Sequence, residues 1–419
     1  MTGFGGNHIV KTPNLDRLAA ESAEFTRFYT PTPQPGPSRA SLLTGQYPHK
    51  NGVTSDGVSL PAQADTFTSR LAAAGYTCSL IGQWNLKGVA DSQPAFGFSQ
   101  YPAATSQPFS WQNCDVWVDG KPAKADKFLT DWLADRAIEF LSRPHVKPFF
   151  LWVSFPAPDE PTVYPPGTER LYPPADVDLP IAMRDLQTDR PTMLNQAPAA
   201  RSFQQIAEQT LREGRSKYYA MLSNLDANIG RLAQHLDAGG LGSSTVVVLT
   251  SEVGFACGDH RLVSIAPAFY DELIRCPLLI RRPGAGPAGV KIDRVVSLID
   301  LAPTLLRLAG VDVPITIQGQ SLLPLMADPE TRRYADECFL EFDRQESWVC
   351  QVRGIIVRNY KFLDYASGTD GLYDLKHDPD EVHNVAMEPQ YRVVLDVLKN
   401  RLQRWQQTTR DPLYRKQPS

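Results

Sequence analysis

The sequence predicts an α/β protein, a large layered sheet flanked by helices, followed by a smaller α+β unit. Three observations carry this. Amphipathic helical segments alternate with short apolar runs of strand length through most of the chain. One of those runs, Phe149-Phe150-Leu151-Trp152-Val153-Ser154-Phe155, is apolar enough to be a central strand covered on both faces. After about residue 330 the texture changes to closely spaced short strands and one long final helix.

The elements follow in order. Thr12 suits an N-cap and Pro13 the first helical position, with Leu15, Leu18, Ala19 and Ser22 on one face. A proline-rich loop is expected at 31–37, and a short helix at 38–45, closed by Gly45. A helix around 67–74 precedes a buried strand at 76–81. Phe128, Leu129, Trp132, Ala137, Phe140 and Leu141 mark a helix over 125–141 that leads into the strand at 149–155. Tyr218, Tyr219, Met221, Leu222, Leu225, Ile229 and Leu232 mark another over 215–237, ahead of a strand at 245–250. A further strand is expected at 273–281 and a helix at 299–308. Beyond 330, strands at 337–342, 348–352, 354–357 and 360–363 form an antiparallel sheet. An acidic turn at 377–381 and a helix at 388–407 complete it. Residues 1–330 are expected as the large domain and 331–419 as the small one.

Composition narrows the function. With 42 Lys+Arg against 46 Asp+Glu in 419 residues, the formal charge is -4. A partner rich in phosphate, such as nucleic acid, asks for a basic surface, so none is expected. No apolar run is long enough to cross a bilayer, and the opening MTGFGGNHIVKT lacks the features of a secretory signal. The six cysteines show no CxxC spacing, so neither a zinc site nor a disulfide framework is indicated, and the cytoplasm is the default location.

The run Gly36-Pro37-Ser38-Arg39-Ala40-Ser41-Leu42-Leu43-Thr44-Gly45, continuing into Gln46-Tyr47-Pro48-His49, resembles the signature of the sulfatases of the alkaline phosphatase superfamily. That signature is C(or S)-x-P-S-R-x-x-x-L/M-T-G. The likeness extends to KTPNLDRL at 11–18, IGQWNLKG at 81–88, the helix at 218–231, Gly258-Asp259-His260, residues 296–325, and LYDLKHDPDEVHN at 372–384. The resemblance implies an alkaline phosphatase-like fold: a large mixed sheet flanked by helices, then a C-terminal antiparallel sheet with a helix. It also implies hydrolysis of sulfuric esters. In that family the signature Cys or Ser becomes formylglycine, whose hydrate attacks sulfur while a divalent ion, usually calcium, holds the sulfate oxygens. Lys and His residues then stabilise charge and protonate the leaving oxygen.

The residues at the matching positions depart from this chemistry. The nucleophile position is Pro35, which has neither hydroxyl nor thiol. The Lys and His of the family's GKWHLG segment are Gln83 and Asn85. The His after the central strand falls at Asp159, and a Lys before Pro267-Ala268-Phe269-Tyr270 falls at Ile265. At the strand end that supplies metal ligands, the Asp is Glu252 and its neighbour is Val253. Glu252 still offers oxygen to a hard cation; Val253 does not. Only Arg39 of the usual catalytic set stands. Family members also begin with an apolar strand ending in two adjacent Asp, and the numbering here starts just after that element: either the chain is truncated, its start is misassigned, or another segment fills the gap. Calcium is implied by the resemblance, but no cofactor is expected on these substitutions.

Several features have two readings. Arg39, with Ser38 and the start of the helix at 38–45, either binds an anion or pairs as a buried structural Arg with a strand-end carboxylate. Glu252 is either a remaining metal ligand or that carboxylate. Gly258-Asp259-His260 is read as loop-shaping. His49, His235, His377 and His383 are read as solvated or capping groups, and the acidic turn of Asp374, Asp378, Asp380 and Glu381 as a solvated loop. The expected function is that of a sulfatase-family protein with lost or severely weakened activity, binding a sulfated or other anionic small molecule or carbohydrate. The alternative is an active hydrolase of sulfate or phosphate esters that works without formylglycine.

Overall fold

The computed structural model describes residues 2–86, 95–105, 110–184, 194, 206–264, 266, 268–284, 288–345, 348–366 and 370–414. Helix α1 (Pro13–Ala20) starts at its proline. Thr12 stands at the N-cap but does not cap: its hydroxyl accepts the Gly3 amide at 2.8 Å and donates to Asp16, tying the first residues to the helix. Strand β1 (Ala23–Tyr29) follows; its mixed pattern AEFTRFY gave no clear period. Helix α2 (Pro35–Thr44) begins three residues earlier than expected, because proline's fixed φ and missing N–H suit the first helical position. It ends at Gly45, whose φ of 64° and close approach to Ile317 favour glycine.

Next come α3 (Pro48–Asn51), α4 (Phe67–Ala73), β2 (Thr77–Gln83), β3 (Gln100–Thr105), β4 (Asp115–Val118) and β5 (Lys121–Lys124). Helix α5 (Leu129–Leu141) leads to β6 (Phe149–Ser154), and the long α6 (Glu208–Ala238) to β7 (Val247–Thr250). The short strands β8 (Ala256–Cys257) and β9 (Val263–Ser264) precede α7 (Asp271–Ile274). The strand expected at 273–281 is two pieces, β10 (Arg275–Cys276) and β11 (Leu278–Arg281), followed by β12 (Val290–Ser297), α8 (Leu301–Leu308) and α9 (Leu323–Ala327).

The fold has the layered α/β arrangement that the sequence predicts. Among the described residues its mixed sheet lies in two halves. One half has β1 flanked by antiparallel β10 and β11 and by parallel β12, with β7 beyond β11. The other runs β5-β4-β3-β2-β6, with β2 parallel to both β3 and β6. Strand β6 was expected at the centre of a sheet. It is instead the edge of its half, and Phe149 to Val153 are half-buried, as is all of β7 at the edge of the other half. Both edges pack on the same cluster: Phe149, Leu151, Val153 and Val247 lie with Leu232 and Leu236 of α6.

The C-terminal sheet is antiparallel: β13 (Glu337–Gln345), β14 (Trp348–Val357), β15 (Tyr360–Tyr365) and β16 (Asp370–Asp374). The strands expected at 348–352 and 354–357 are one continuous β14. Gly354 does not break it; a Cβ there would meet Leu363 at 2.7 Å, so the glycine admits a close neighbour. Helix α10 (Arg392–Thr409) lays Leu398, Leu402 and Trp405 on Phe339, Ile355 and Phe362. No described helix is long and apolar enough to cross a membrane.

Where this sheet meets the rest, charges are buried. Lys361 of β15 is fully buried, and its Nζ lies 2.7 Å from each of the Phe269 carbonyl, Asp271 and Glu381. Glu381 is therefore not solvated, as the turn was read, but paired. His49 is not solvated either: its Nδ1 lies 2.5 Å from Glu341, which also accepts the His49 amide. Both corrections have one cause, since the ion partners come from segments some 20 to 292 positions away in sequence.

These groups make stability pH-dependent. Burial pushes Glu381 up to about 7, with Asp271 adding and Lys361 opposing. Burial pushes Asp300 up to about 6, against hydrogen bonds from Tyr334, Gln320 and Ser297. Burial lowers the His49 pKa, but Glu341 outweighs it and the net shift is upward. In each case the folded state holds its proton more tightly than the unfolded chain, so the contribution is present at low pH and lost as pH rises through the folded value. Urea unfolding followed from pH 5 to pH 8 is expected to show declining stability, and Glu381→Gln is expected to flatten the part of the curve near 7.

Candidate functional site

The site is built around the start of α2. Pro35 holds the first helical position and is partly exposed, and its pyrrolidine ring carries neither hydroxyl nor thiol. One helical turn on, Arg39 is buried, 3% exposed, and its guanidinium is engaged on nearly every edge. Nε donates to Glu252 Oε2 at 2.8 Å and Nη2 to Glu252 Oε1 at 3.0 Å, a two-pronged pair. Nη2 also donates to Ser154 Oγ at 2.8 Å, Nη1 donates to the Gln83 carbonyl, and the Trp152 ring lies 5.5 Å away. Three strand ends therefore converge on one cation: β2 through Gln83, β6 through Ser154, and β7 through Glu252 two residues beyond it.

Ser38 is committed too. Its hydroxyl donates to the Glu252 carbonyl at 2.5 Å and lies 2.7 Å from the Thr30 hydroxyl. Asn85, with a positive φ of 37°, donates to Glu252 Oε1 at 3.3 Å, so its amide serves the same carboxylate. Val253 offers only its backbone, whose carbonyl accepts the Ser251 hydroxyl. Asp159 caps the Glu160 amide at 2.8 Å. Ile265 lies outside the described residues, as do Lys87, Gly88, Pro267 and most of 185–205. His260 is buried, stacked on Tyr270 at 3.5 Å, while Asp259 accepts the Cys257 amide and thereby closes its own loop.

Sequence reading missed Asp56. Its carboxyl turns onto the Gly36 amide at 2.9 Å. Burial of that carboxyl raises its pKa and Glu252 adds to the rise, against the lowering effect of the Gly36 hydrogen bond. In Ser55-Asp56-Gly57 it reads only as a turn residue. Its placement matters because Pro35 and Pro37 carry no N–H. Gly36 alone supplies an amide at the head of α2, and Asp56 occupies it. Gln34, just before Pro35, is 1% exposed with neither carboxamide atom partnered among the described residues, and the Gln83 Nε2 is in the same state. Ser154 carried a weak signal, a polar residue at the carboxyl end of an apolar strand, where sites of α/β sheets collect.

The donor set does not fit calcium. That ion takes about six to eight oxygens. Both Glu252 oxygens are held by Arg39, Val253 provides no side-chain oxygen, and among the described residues no three His, Cys, Asp or Glu side chains converge as a metal site.

Breaking the Arg39 pair leaves Glu252 uncompensated. Arg39→Met is expected to lower the unfolding free energy by about 3–5 kcal/mol. The double change Arg39→Met with Glu252→Gln is expected to cost less than Arg39→Met alone, as read by urea denaturation in a double-mutant cycle.

Comparison with known proteins identifies the family and the fold. The sulfatase family model matches residues 1–311, and the model for the C-terminal part of N-sulphoglucosamine sulphohydrolase matches residues 258–408. The chain is 30% identical to an N-acetylglucosamine-6-O-sulfatase of Bacteroides thetaiotaomicron, covering 93% of this chain and 81% of that protein. A multifunctional alkaline phosphatase superfamily protein of Trinickia caryophylli is 28% identical over 94% of this chain and 89% of its own. A solved sulfated-sugar complex, with D-glucosamine-2-N,6-O-disulfate bound as substrate, superposes with a TM-score of 0.90 at 24% identity, covering 99% of this chain and 96% of that one. The phosphonate monoester hydrolase of Agrobacterium radiobacter superposes with a TM-score of 0.80 at 26% identity, over 96% and 92%. On a family model spanning most of the chain and a relative matched along most of both lengths, this protein is a member of the sulfatase family.

Proposed function

We propose that this sulfatase-family chain has lost or severely weakened ester hydrolysis and binds a sulfated carbohydrate or a similar anionic ligand. The observation that carries this is Pro35 at the first position of α2, where no nucleophile can be made. Removing the nucleophile from an enzyme that depends on one costs many orders of magnitude. Supporting it, Gln83 and Asn85 are neutral amides, and the charges of Arg39 and Glu252 cancel each other. The ligand class is suggested by the relative that acts on N-acetylglucosamine-6-O-sulfate and by the sulfated sugar bound in the similar structure. Ser38 and Arg39 are the proposed anion contacts. An anion arriving there competes with Asp56 for the Gly36 amide and with Glu252 for the guanidinium.

A second reading keeps an enzyme. Asp56, on the Gly36 amide next to Pro35, and Glu252, whose charge adds to the raised pKa of Asp56, are two carboxylates near the head of α2, an arrangement suited to activating water on a sulfate or phosphate ester.

Purified protein assayed with chromogenic aryl sulfate and aryl phosphate, alongside elemental analysis, separates the two. Turnover about four or more orders of magnitude below that of a formylglycine sulfatase run in parallel is expected. Robust turnover abolished by Asp56→Asn, or stoichiometric calcium with turnover, overturns the first reading.

Binding is read by calorimetry with D-glucosamine-6-sulfate against D-glucosamine. Sulfate-dependent binding is expected. It is also expected to tighten as pH falls and Asp56 takes up its proton, and Asp56→Asn is expected to tighten it and remove that pH dependence. Equal or absent binding of the two sugars counts against the ligand class.

A further inference from the structure

The C-terminal sheet reaches the site through one buried cation. Lys361 of β15 holds the Phe269 carbonyl, Asp271 and Glu381 at 2.7 Å each. Glu381 in turn accepts the Asp271 amide at 2.7 Å, and Tyr29 at the end of β1 donates to Asp271 at 3.3 Å. Asp271 opens α7, so these contacts fix where that helix begins.

The carbonyls of α7 hold the segment next to the site. Gly254 donates to the Leu273 carbonyl at 2.7 Å, and Phe255 to the Glu272 carbonyl at 3.0 Å. The approach is so close that a Cβ on Gly254 would stand 1.9 Å from the Glu272 oxygen, which leaves no slack between α7 and residues 254–255. Glu252 is two residues upstream, and its carboxylate is the partner of Arg39. A second link runs in parallel: the Ile274 carbonyl accepts the Thr30 amide at 2.8 Å, the Thr30 hydroxyl meets Ser38, and Ser38 donates to the Glu252 carbonyl. Both links reach the backbone of Glu252, whose side chain pairs with Arg39, and α7 is referenced to Lys361.

We propose that Lys361 is a positioning residue for the site. Through Asp271 and Glu381, the C-terminal sheet sets the seat of α7, hence of residues 254–255, and so the alignment of Glu252 with Arg39 on which ligand affinity depends. The ligand part rests on the binding function proposed above; the positioning part does not. A buried cation has a physical reason to be used for this. It is costly without partners, so its geometry is held by the groups around it, including two carboxylates from different segments.

The test uses the full chain with two variants. Lys361→Met combined with Glu381→Gln removes the cation together with one carboxylate; Asp271→Asn is nearly isosteric and keeps the amide that Glu381 accepts. Cooperative urea unfolding establishes that each variant is folded. Two readouts follow: amide exchange at residues 252–257, with β2 as internal control, and the dissociation constant for D-glucosamine-6-sulfate. In a folded variant, exchange at Gly254 and Phe255 is expected to accelerate about tenfold while β2 is unchanged. The dissociation constant is expected to weaken about tenfold. Unchanged exchange at Gly254 and Phe255 in a folded variant overturns the proposal, as does failure of both variants to fold, which would mark the cluster as structural only. Accelerated exchange with a native protein that binds no sulfated sugar leaves positioning standing and removes the ligand reading, so the two failures are distinguishable.

Discussion

The ion pair between Arg39 and Glu252 organises the large part of this molecule. One guanidinium receives the ends of β2, β6 and β7, and it sits where the two halves of the mixed sheet come closest to sharing a partner. Neither half pairs with the other along its β6 or β7 edge among the described residues. They are joined by this cation at the carboxyl ends of the strands, by the apolar cluster on α6, and by Trp152 of β6 packed with Val248 of β7 and the core around β1. A buried Arg tolerates such a position because its five donors can all be used at once.

The same pair shapes what the site can do. A free Arg beside a free carboxylate would offer an anion seat and a cation ligand side by side. Here each answers the other. Asp56 does the same at the head of α2, where two prolines leave a single amide and an internal carboxylate already takes it. The charges at the head of α2 are therefore internally satisfied, while among the described residues Gln34 and Gln83 keep buried carboxamide atoms without hydrogen-bond partners. Such groups are costly to bury unless something polar meets them.

Much of this was legible in the sequence because it depends on local chemistry. Pro35, Gln83, Asn85 and Val253 sit in short ordered motifs whose spacing fixes their place, so the absence of hydroxyl, cation and carboxylate could be read position by position. Asp56 was not legible, since a turn aspartate acquires its meaning from the amide it happens to face. Glu381 and His49 were misread as solvated for the same reason. Nothing within a few residues of either announces Lys361 or Glu341, and a charged residue is by default on the surface.

The sequence by itself determined the layered α/β class, the antiparallel C-terminal sheet, the family likeness and the lack of an attacking group at Pro35. Those follow from periodicity, caps and side-chain identity, which act over a turn or a strand. Tertiary structure alone decided that Arg39 is paired rather than open and that β6 is an edge strand, not a central one. It also decided that a lysine of the last sheet sits against the helix whose carbonyls accept the Gly254 and Phe255 amides. Each of these is a contact between segments distant in the chain, and long-range pairing of charges and strand edges is set by the packing of the whole molecule, not by any window of its sequence.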